Sequence, residues 1–394
     1  MKKPYIFFFL LICSISLFSQ RGKDGAGNIT VANAIVNIYT PLTADAFVWG
    51  GSIAVGNTAG FFPGDLIMII QMQGASVNTI NGGSTPPFFD ASSSLPNDTS
   101  SGYIINYNNC GNYEFAQVSS VPNSTLLVLD CGMIRNYTGN TTARTQVIRV
   151  PRYTTLNINN PGFITCPPWN GSTGGIAIVE VENNATLNAS PSFSVTGRGF
   201  RGGFAENLSS LLGANKFGHI SGIEGAAKGE SIAGDSGIYR PIASIFCRGG
   251  IANGGGGGTS HNSGGGGGAN GGIVANYRAY GNPTAGYNAA WNLESAGFST
   301  VTSSGGGRGG YSFSSNNQNP NTVGPGAGGW AGDGRRNMGG FGGRPLNYST
   351  GKIFLGGGGG NGDANDGQGT VGGNGGGMVF IRCYGNLSGA GTIV

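Results

Sequence analysis

The stretch IANGGGGGTSHNSGGGGGANGG, residues 251–272, is glycine at more than half its positions, and glycine-dominated runs recur at 254–258, 264–268, 305–310, 339–343 and 356–360. Flexible tethers are Gly/Ser mixtures that join otherwise complete domains. Here the runs are interleaved with Tyr277, Tyr280, Tyr287, Trp291, Phe298, Tyr311, Trp330 and Phe341, apolar bulk that does not stay solvated by preference. No strict every-third-glycine register with abundant proline persists, which excludes collagen. Consecutive glycines can instead form an extended helix of three residues per turn whose N–H and C=O groups point outward. Such helices must bundle, because those groups need partners and because ordering a glycine costs roughly 0.5 to 1 kcal/mol more than ordering an alanine. The sequence therefore predicts a folded scaffold, a polyglycine II bundle, with a loop-rich β-solenoid as the alternative.

The rest of the composition supports order. Of 394 residues, 79 are Gly and 17 Pro, a share that approaches the level at which disorder is the default, yet only 10% are charged and the chain keeps 21 Phe, 14 Tyr and 4 Trp. Residues 1–19, within MKKPYIFFFLLICSISLFSQ, place Lys2 and Lys3 before an apolar run and read as a secretory signal peptide. A lipobox ending at Cys13 ranks second, since Ile12 is bulky where such sites want a small residue. Removing the two lysines lowers the formal charge from +4 to +2, too little to argue for nucleic acid.

Five cysteines remain, Cys110, Cys131, Cys166, Cys247 and Cys383, an odd number for an oxidising compartment. Cys110 and Cys131 flank two strand-like runs and form the candidate disulfide. The alternative is that all five are small buried apolar residues.

Residues 20–165 read as an N-terminal β module, a small barrel or sandwich. DLIMIIQMQG (65–74), YEFAQVSSV (113–121), TLLVLDCG (125–132) and TQVIRVPRY (145–153) are β-branched or aromatic runs between turn residues, and 75–101 is a loop excursion. Residues 166–394 form the glycine-rich scaffold domain. Within it GGIAIVEVENNATLNASPSFSVTG (174–197) and GGMVFIRCYGNLSGAGTIV (376–394) share one plan, a strand, a turn and a second strand, and so make a candidate repeat that frames the glycine runs. The expected fold is all-β throughout.

Chemistry-bearing motifs are sparse. GRGFRG (197–202) fits a dinucleotide-binding pattern that a glycine-rich chain produces freely, and no βαβ series follows it. GDSG (234–237) is similar to a serine-protease segment, but Ile238 replaces the next glycine and only His219 and His261 could serve as base. Two histidines and no Cys-x-x-Cys argue against zinc. Asp363, Asn365 and Asp366 in NGDANDGQG offer oxygen ligands for calcium, the one ion the sequence leaves open; a solvated turn is the favoured reading, and no other cofactor is expected. Glu180, Glu182 and Glu206 are the carboxylates of an alternative polysaccharide-cleaving solenoid. Alternation along IAIVEVE places Glu180 and Glu182 on a solvent face. Candidate contacts to glycans or other surface polymers are Tyr277, Tyr280, Tyr287, Trp291, Trp330, Arg335, Arg336 and Phe341, since indole and phenol rings stack on sugars and guanidinium forks onto carboxylates; for any one ring, capping the glycine bundle and filling its edges is the favoured reading.

The succession PGDLIMIIQMQG, GNYEFAQVSSV, TQVIRVPRY, NGSTGGIAIVEV, GRGFRGG and EGAAKGESIAG, followed by Gly-Asn blocks, resembles the amino-terminal region of large glycine-rich cell-surface adhesins of gliding Bacteroidota, the SprB-like group. The resemblance implies export by the type IX secretion machinery and a role in adhesion or gliding, at the outer-membrane surface, with no catalytic residues to carry over. A secreted, non-enzymatic adhesin acting by multivalent weak contact is the leading expectation. Self-association into a structural surface filament is a third reading.

Overall fold

The computed structural model describes residues 20–78, 102–207, 218–220, 222, 225–242, 244–259, 263–277, 304–309, 339–364 and 369–394. The signal-like residues 1–19 lie outside them. The fold is all-β, and the only α-helix among the described residues is the single turn α1 (Ser236–Tyr239), capped by Asp235 of the GDSG segment. No described helix is long and apolar enough to cross a membrane.

A short parallel solenoid forms the spine. Its first face stacks β1 (Gly27–Ile29), β12 (Leu156–Ile158), β15 (Ala185–Leu187) and β17 (Leu387–Ser388), all parallel. The second stacks β11 (Arg152–Tyr153), β14 (Ile176–Val181) and β16 (Met378–Cys383). The third pairs β2 (Ala34–Ile35) with β13 (Ile164–Thr165) and continues through single bridges to Phe193 and Ile393. Residues 176–193 and 378–393 are thus successive rungs, with Ile176 opposite Met378 and Ala185 opposite Leu387, and the repeat seen in the sequence is a physical stack. Leu156, Ile158, Ile164, Val179, Val181, Leu187 and Phe193 fill the interior.

Two insertions interrupt the spine. Between the first and second rungs lies an antiparallel sheet curled into a half-barrel, in the order β3 (Ile38–Pro41), β10 (Thr145–Val150), β5 (Leu66–Gln71), β8 (Tyr113–Asn123), β9 (Leu126–Leu129) and β4 (Ser52–Ala54), with a side pair β6 (Ser76–Val77) and β7 (Ile104–Asn106). The four runs read as strands in the sequence are its central members. Alternation sends Ile67 and Ile69 to one core and Leu66, Met68 and Ile70 to another, which they share with Ile176, Phe200, Ile251 and Leu355. The core therefore runs through the boundary drawn at residue 165.

The second insertion, between the rungs 176–193 and 378–393, carries the glycine runs, and their hydrogen bonds repeat every three residues. Gly356, Gly357 and Gly358 donate to Gly376 O, Ala269 O and Glu230 O at 2.9, 2.8 and 2.9 Å. The next three residues, Gly359, Gly360 and Asn361, return to the same neighbours, donating to Gly373 O, Gly266 O and Ala227 O, each at 2.8 Å. That period is the signature of the three-residue helix and not of a strand, whose period is two. The expected alternatives thus coexist, a polyglycine II bundle mounted on a β-solenoid. Close approach is what requires glycine here: a Cβ on Gly358 would be driven into Arg201 O. Aromatic and arginine side chains seal the edges, with the Arg248 guanidinium 4.2 Å from the Phe341 ring centroid and Trp169 edge-on to Phe200 at 5.9 Å.

Candidate binding surface

The loops 43–50 and 130–139 meet at the open edge of the half-barrel and pair with each other. Ala46 and Tyr137 exchange backbone hydrogen bonds at 2.9 and 2.8 Å, Trp49 N donates to Met133 O at 2.8 Å, and Met133 N donates to Gly50 O at 3.1 Å. Asn136 Oδ1 takes Val48 N at 2.9 Å, and Asp45 Oδ1 takes Gly139 N at 2.9 Å. This framework closes only because Gly132 lies against the Trp49 backbone, where a Cβ would meet Trp49 O at 2.7 Å.

Outward from the framework point three large apolar side chains, Phe47 (63% exposed), Trp49 (83%) and Ile134 (68%). Trp49 also sits at φ 68°, a left-handed conformation that costs a bulky residue on the order of 1 to 3 kcal/mol. The surroundings over-determine that conformation, and its result is an indole presented to solvent. Exposed Asp45, Arg135 and Asn136 flank the rings with charge and hydrogen-bonding capacity.

Beneath the loop lies a polar pocket of the core. Glu114 Oε2 accepts from Ile134 N at 2.9 Å, while Glu114 Oε1 and Tyr137 Oη are buried without a hydrogen-bond partner among the described residues. Burial pushes the Glu114 carboxyl above the ordinary carboxylate range, offset in part by the Ile134 hydrogen bond, and burial likewise raises the Tyr137 phenol.

The residues expected as contacts fare differently. Tyr277 and Phe341 are buried: the Tyr277 hydroxyl donates to Gly342 O at 2.6 Å, and Phe341 lies under Arg248, so both fill bundle edges and neither offers a surface. Tyr280, Tyr287, Trp291, Trp330, Arg335 and Arg336 lie outside the described residues, as do Asn365 and Asp366 of the calcium candidate. Asp363 is buried, its N–H bonded to Ser263 O at 2.8 Å, and no cluster of three or more His, Cys, Asp or Glu side chains able to hold a metal occurs among the described residues. The Cys110–Cys131 disulfide does not form. Cys110 is buried with its thiol on Met72 O at 3.1 Å, whereas Cys131 is exposed, and no disulfide joins any of the five described cysteines.

The carboxylates also differ from expectation. Glu180 is buried and not on a solvent face, because β14 is covered on both sides, as parallel strands usually are. It pairs with Arg152 Nε at 2.7 Å and with Arg382 at 3.5 Å. Glu206 is buried elsewhere, beside Gly222. Sequence reasoning followed the glycine-rich insertions and passed over Phe47 and Trp49. The signal was legible in DAFVWG, where aromatic residues alternate with Ala46 and Val48 just before a turn glycine.

No family model and no curated protein matches the chain. Solved structures do. The similarity is to phage tailspikes. The Gp54 tailspike of Acinetobacter baumannii bacteriophage AP22, in complex with A. baumannii capsular saccharide, is 11% identical with a TM-score of 0.19, over 44% of this chain and 33% of that one. The tailspike gp61 of Pseudomonas phage phi297 is 12% identical with a TM-score of 0.18, over 44% and 31%. The tailspike gp49 of Pseudomonas phage LKA1 gives 12% and 0.16, over 43% and 30%. The matched part of this chain spans about a third of their length. The expectation of a non-enzymatic chain is withdrawn: the solved structures it is similar to are phage tailspikes, one of them determined with a capsular saccharide.

Proposed function

We propose that this chain is an exported cell-surface protein that binds saccharide chains or related surface polymers through Phe47, Trp49 and Ile134, with the solenoid and glycine bundle as a rigid mount. The observation that carries the reading is Trp49, an indole held in solvent at a strained backbone angle by hydrogen bonds on both sides of its loop. A sugar ring presents C–H groups to an indole face and hydroxyls to flanking polar side chains, which Asp45, Arg135 and Asn136 supply. Repetition of such shallow contacts over many copies on a cell would give adhesion by avidity. The signal-like residues 1–19 and the resemblance to gliding-bacterial adhesins support export by the type IX route and a part in attachment or gliding.

The test is a glycan-array screen of the chain lacking residues 1–19, followed by titration of the best ligand. Trp49→Ala is expected to weaken binding by about tenfold or more, since burying an aromatic face contributes on the order of 1.5 kcal/mol or more, while Trp49→Phe keeps most of it. Equal binding by wild type and Trp49→Ala would remove this surface from consideration.

A further inference from the structure

The segment 356–361 lies inside the glycine bundle, and its hydrogen bonds identify five neighbours. It donates to 372–376, to 264–269 and to 226–230, and it accepts from Phe200 and Gly203 at Gly356 O and Gly359 O, and from Gly255 and Gly258 at Gly358 O and Asn361 O. The five follow one another around it, because each is bonded to the next: Gly199 N to Gly375 O, Glu230 N to Arg201 O, Gly229 N to Gly255 O, and Gly266 N to Gly256 O. A three-residue helix with outward N–H and C=O groups sends three rows of donors and three rows of acceptors, and so takes six neighbours. The sixth position falls between 264–269 and 372–376.

That position is a groove of about 570 Å³, walled by Gly265–Asn270, by Gly356, Gly357, Gly359 and Gly360, and by Gly373–Gly376. Its walls carry main-chain groups, in the three-residue repeat, that bond to no described residue. Gly357 O and Gly360 O receive no N–H from any described residue. The N–H groups of Gly265 and Gly268 on one side, and of Gly373 and Gly376 on the other, donate to no described carbonyl. Read around the groove, the walls present donors, acceptors and donors.

We propose that this groove receives an extended glycine-rich peptide supplied by a partner, a three-residue helix of Gly-Gly-x pattern that completes the sixth position. Such a helix offers alternating rows of carbonyls and amides at the same repeat, so its carbonyls meet Gly265, Gly268, Gly373 and Gly376 and its amides meet Gly357 and Gly360. Two residues in each turn face the walls and must lack Cβ atoms, while the third faces solvent and tolerates a side chain. At about 3.1 Å per residue, the walls accommodate roughly five residues. This site is independent of the Trp49 surface.

The test titrates the chain lacking residues 1–19 with a short synthetic peptide of Gly-Gly-Asn repeats, reading calorimetry and amide hydrogen exchange. Binding is expected with new protection at Gly265, Gly268, Gly373 and Gly376, and a matched Ala-Ala-Asn peptide should not bind. Gly373→Leu with Gly376→Leu places side chains where a Cβ meets nothing within 4 Å, so the fold is kept and the groove is blocked. This variant should keep its melting temperature and lose about tenfold or more in peptide affinity. Absence of peptide-induced protection at those four amides overturns the proposal. So does protection that rises with protein concentration alone, which would assign the groove to a second copy, or protection produced by a saccharide and not by the peptide.

Discussion

Trp169 donates its indole N–H to Glu230 Oε1 at 2.9 Å, and the same oxygen takes Gln73 Nε2 at 2.9 Å. Arg201 completes the group, with its Nε 2.8 Å and its backbone N 3.0 Å from Glu230 Oε2. One buried carboxylate thus joins the half-barrel, the segment before β14 and the glycine bundle. Removing it strips the buried Trp169 indole N–H of its acceptor and leaves Gln73 Nε2 only Ser231 O and the Arg201 guanidinium only Asp235. Glu230→Ala is expected to cost about 3 kcal/mol of unfolding free energy, measured by urea titration, with near-neutral stability for the exposed control Val371→Ala.

The bundle predicts a sharp contrast between two glycines that both sit in glycine runs. Gly358→Ala drives its methyl into Arg201 O, whereas Gly307→Ala meets nothing within 4 Å. Thermal unfolding should show the first destabilised by at least about 3 kcal/mol and the second changed by less than about 0.5 kcal/mol. Equal effects would mean that the runs are not packed as described.

Lys228 is buried, with Nζ on Ser244 Oγ at 2.9 Å, and burial lowers its pKa to about 7. Between that value and the ordinary lysine value of about 10.4 the unfolded chain binds the extra proton, so this residue makes stability rise with pH across that window and fall as pH drops toward 7. Below about 7 the native amine is charged and its contribution levels off. Lys228→Met should remove this slope, read as the difference in urea midpoint between wild type and variant over pH 6 to 10. A difference that does not change with pH would contradict the burial of a neutral amine.

Much of the fold was legible in the sequence, for identifiable reasons. The strands 66–71, 113–123, 126–129 and 145–150 announce themselves by β-branched runs between turn residues, and the shared plan of 174–197 and 376–394 reports two rungs of one solenoid. What stayed hidden is long-range. Nothing local tells Gly27 that it pairs with Leu156, or separates a bundle from a solenoid when both are present. Glu180 reads as a solvent-facing residue because alternation assumes one wet face, and the cover on β14 comes from residues distant in the chain. At the candidate site, aromatic richness drew attention to Tyr277 and Phe341, which the bundle buries, while Trp49 depends on a loop pairing that only the folded chain reveals.

The central claim is that the glycine runs are hydrogen-bonded scaffold. Residue-resolved amide hydrogen exchange on the chain lacking residues 1–19, at neutral pH, tests it most directly. Protection at Gly255–Gly258, Gly266, Gly267 and Gly356–Asn361 comparable to that of Leu66–Gln71 is the predicted result, with Gly265 and Gly268 exchanging far faster than their neighbours. Exchange at the unstructured rate throughout those runs would contradict the bundle and return the glycines to the status of tethers.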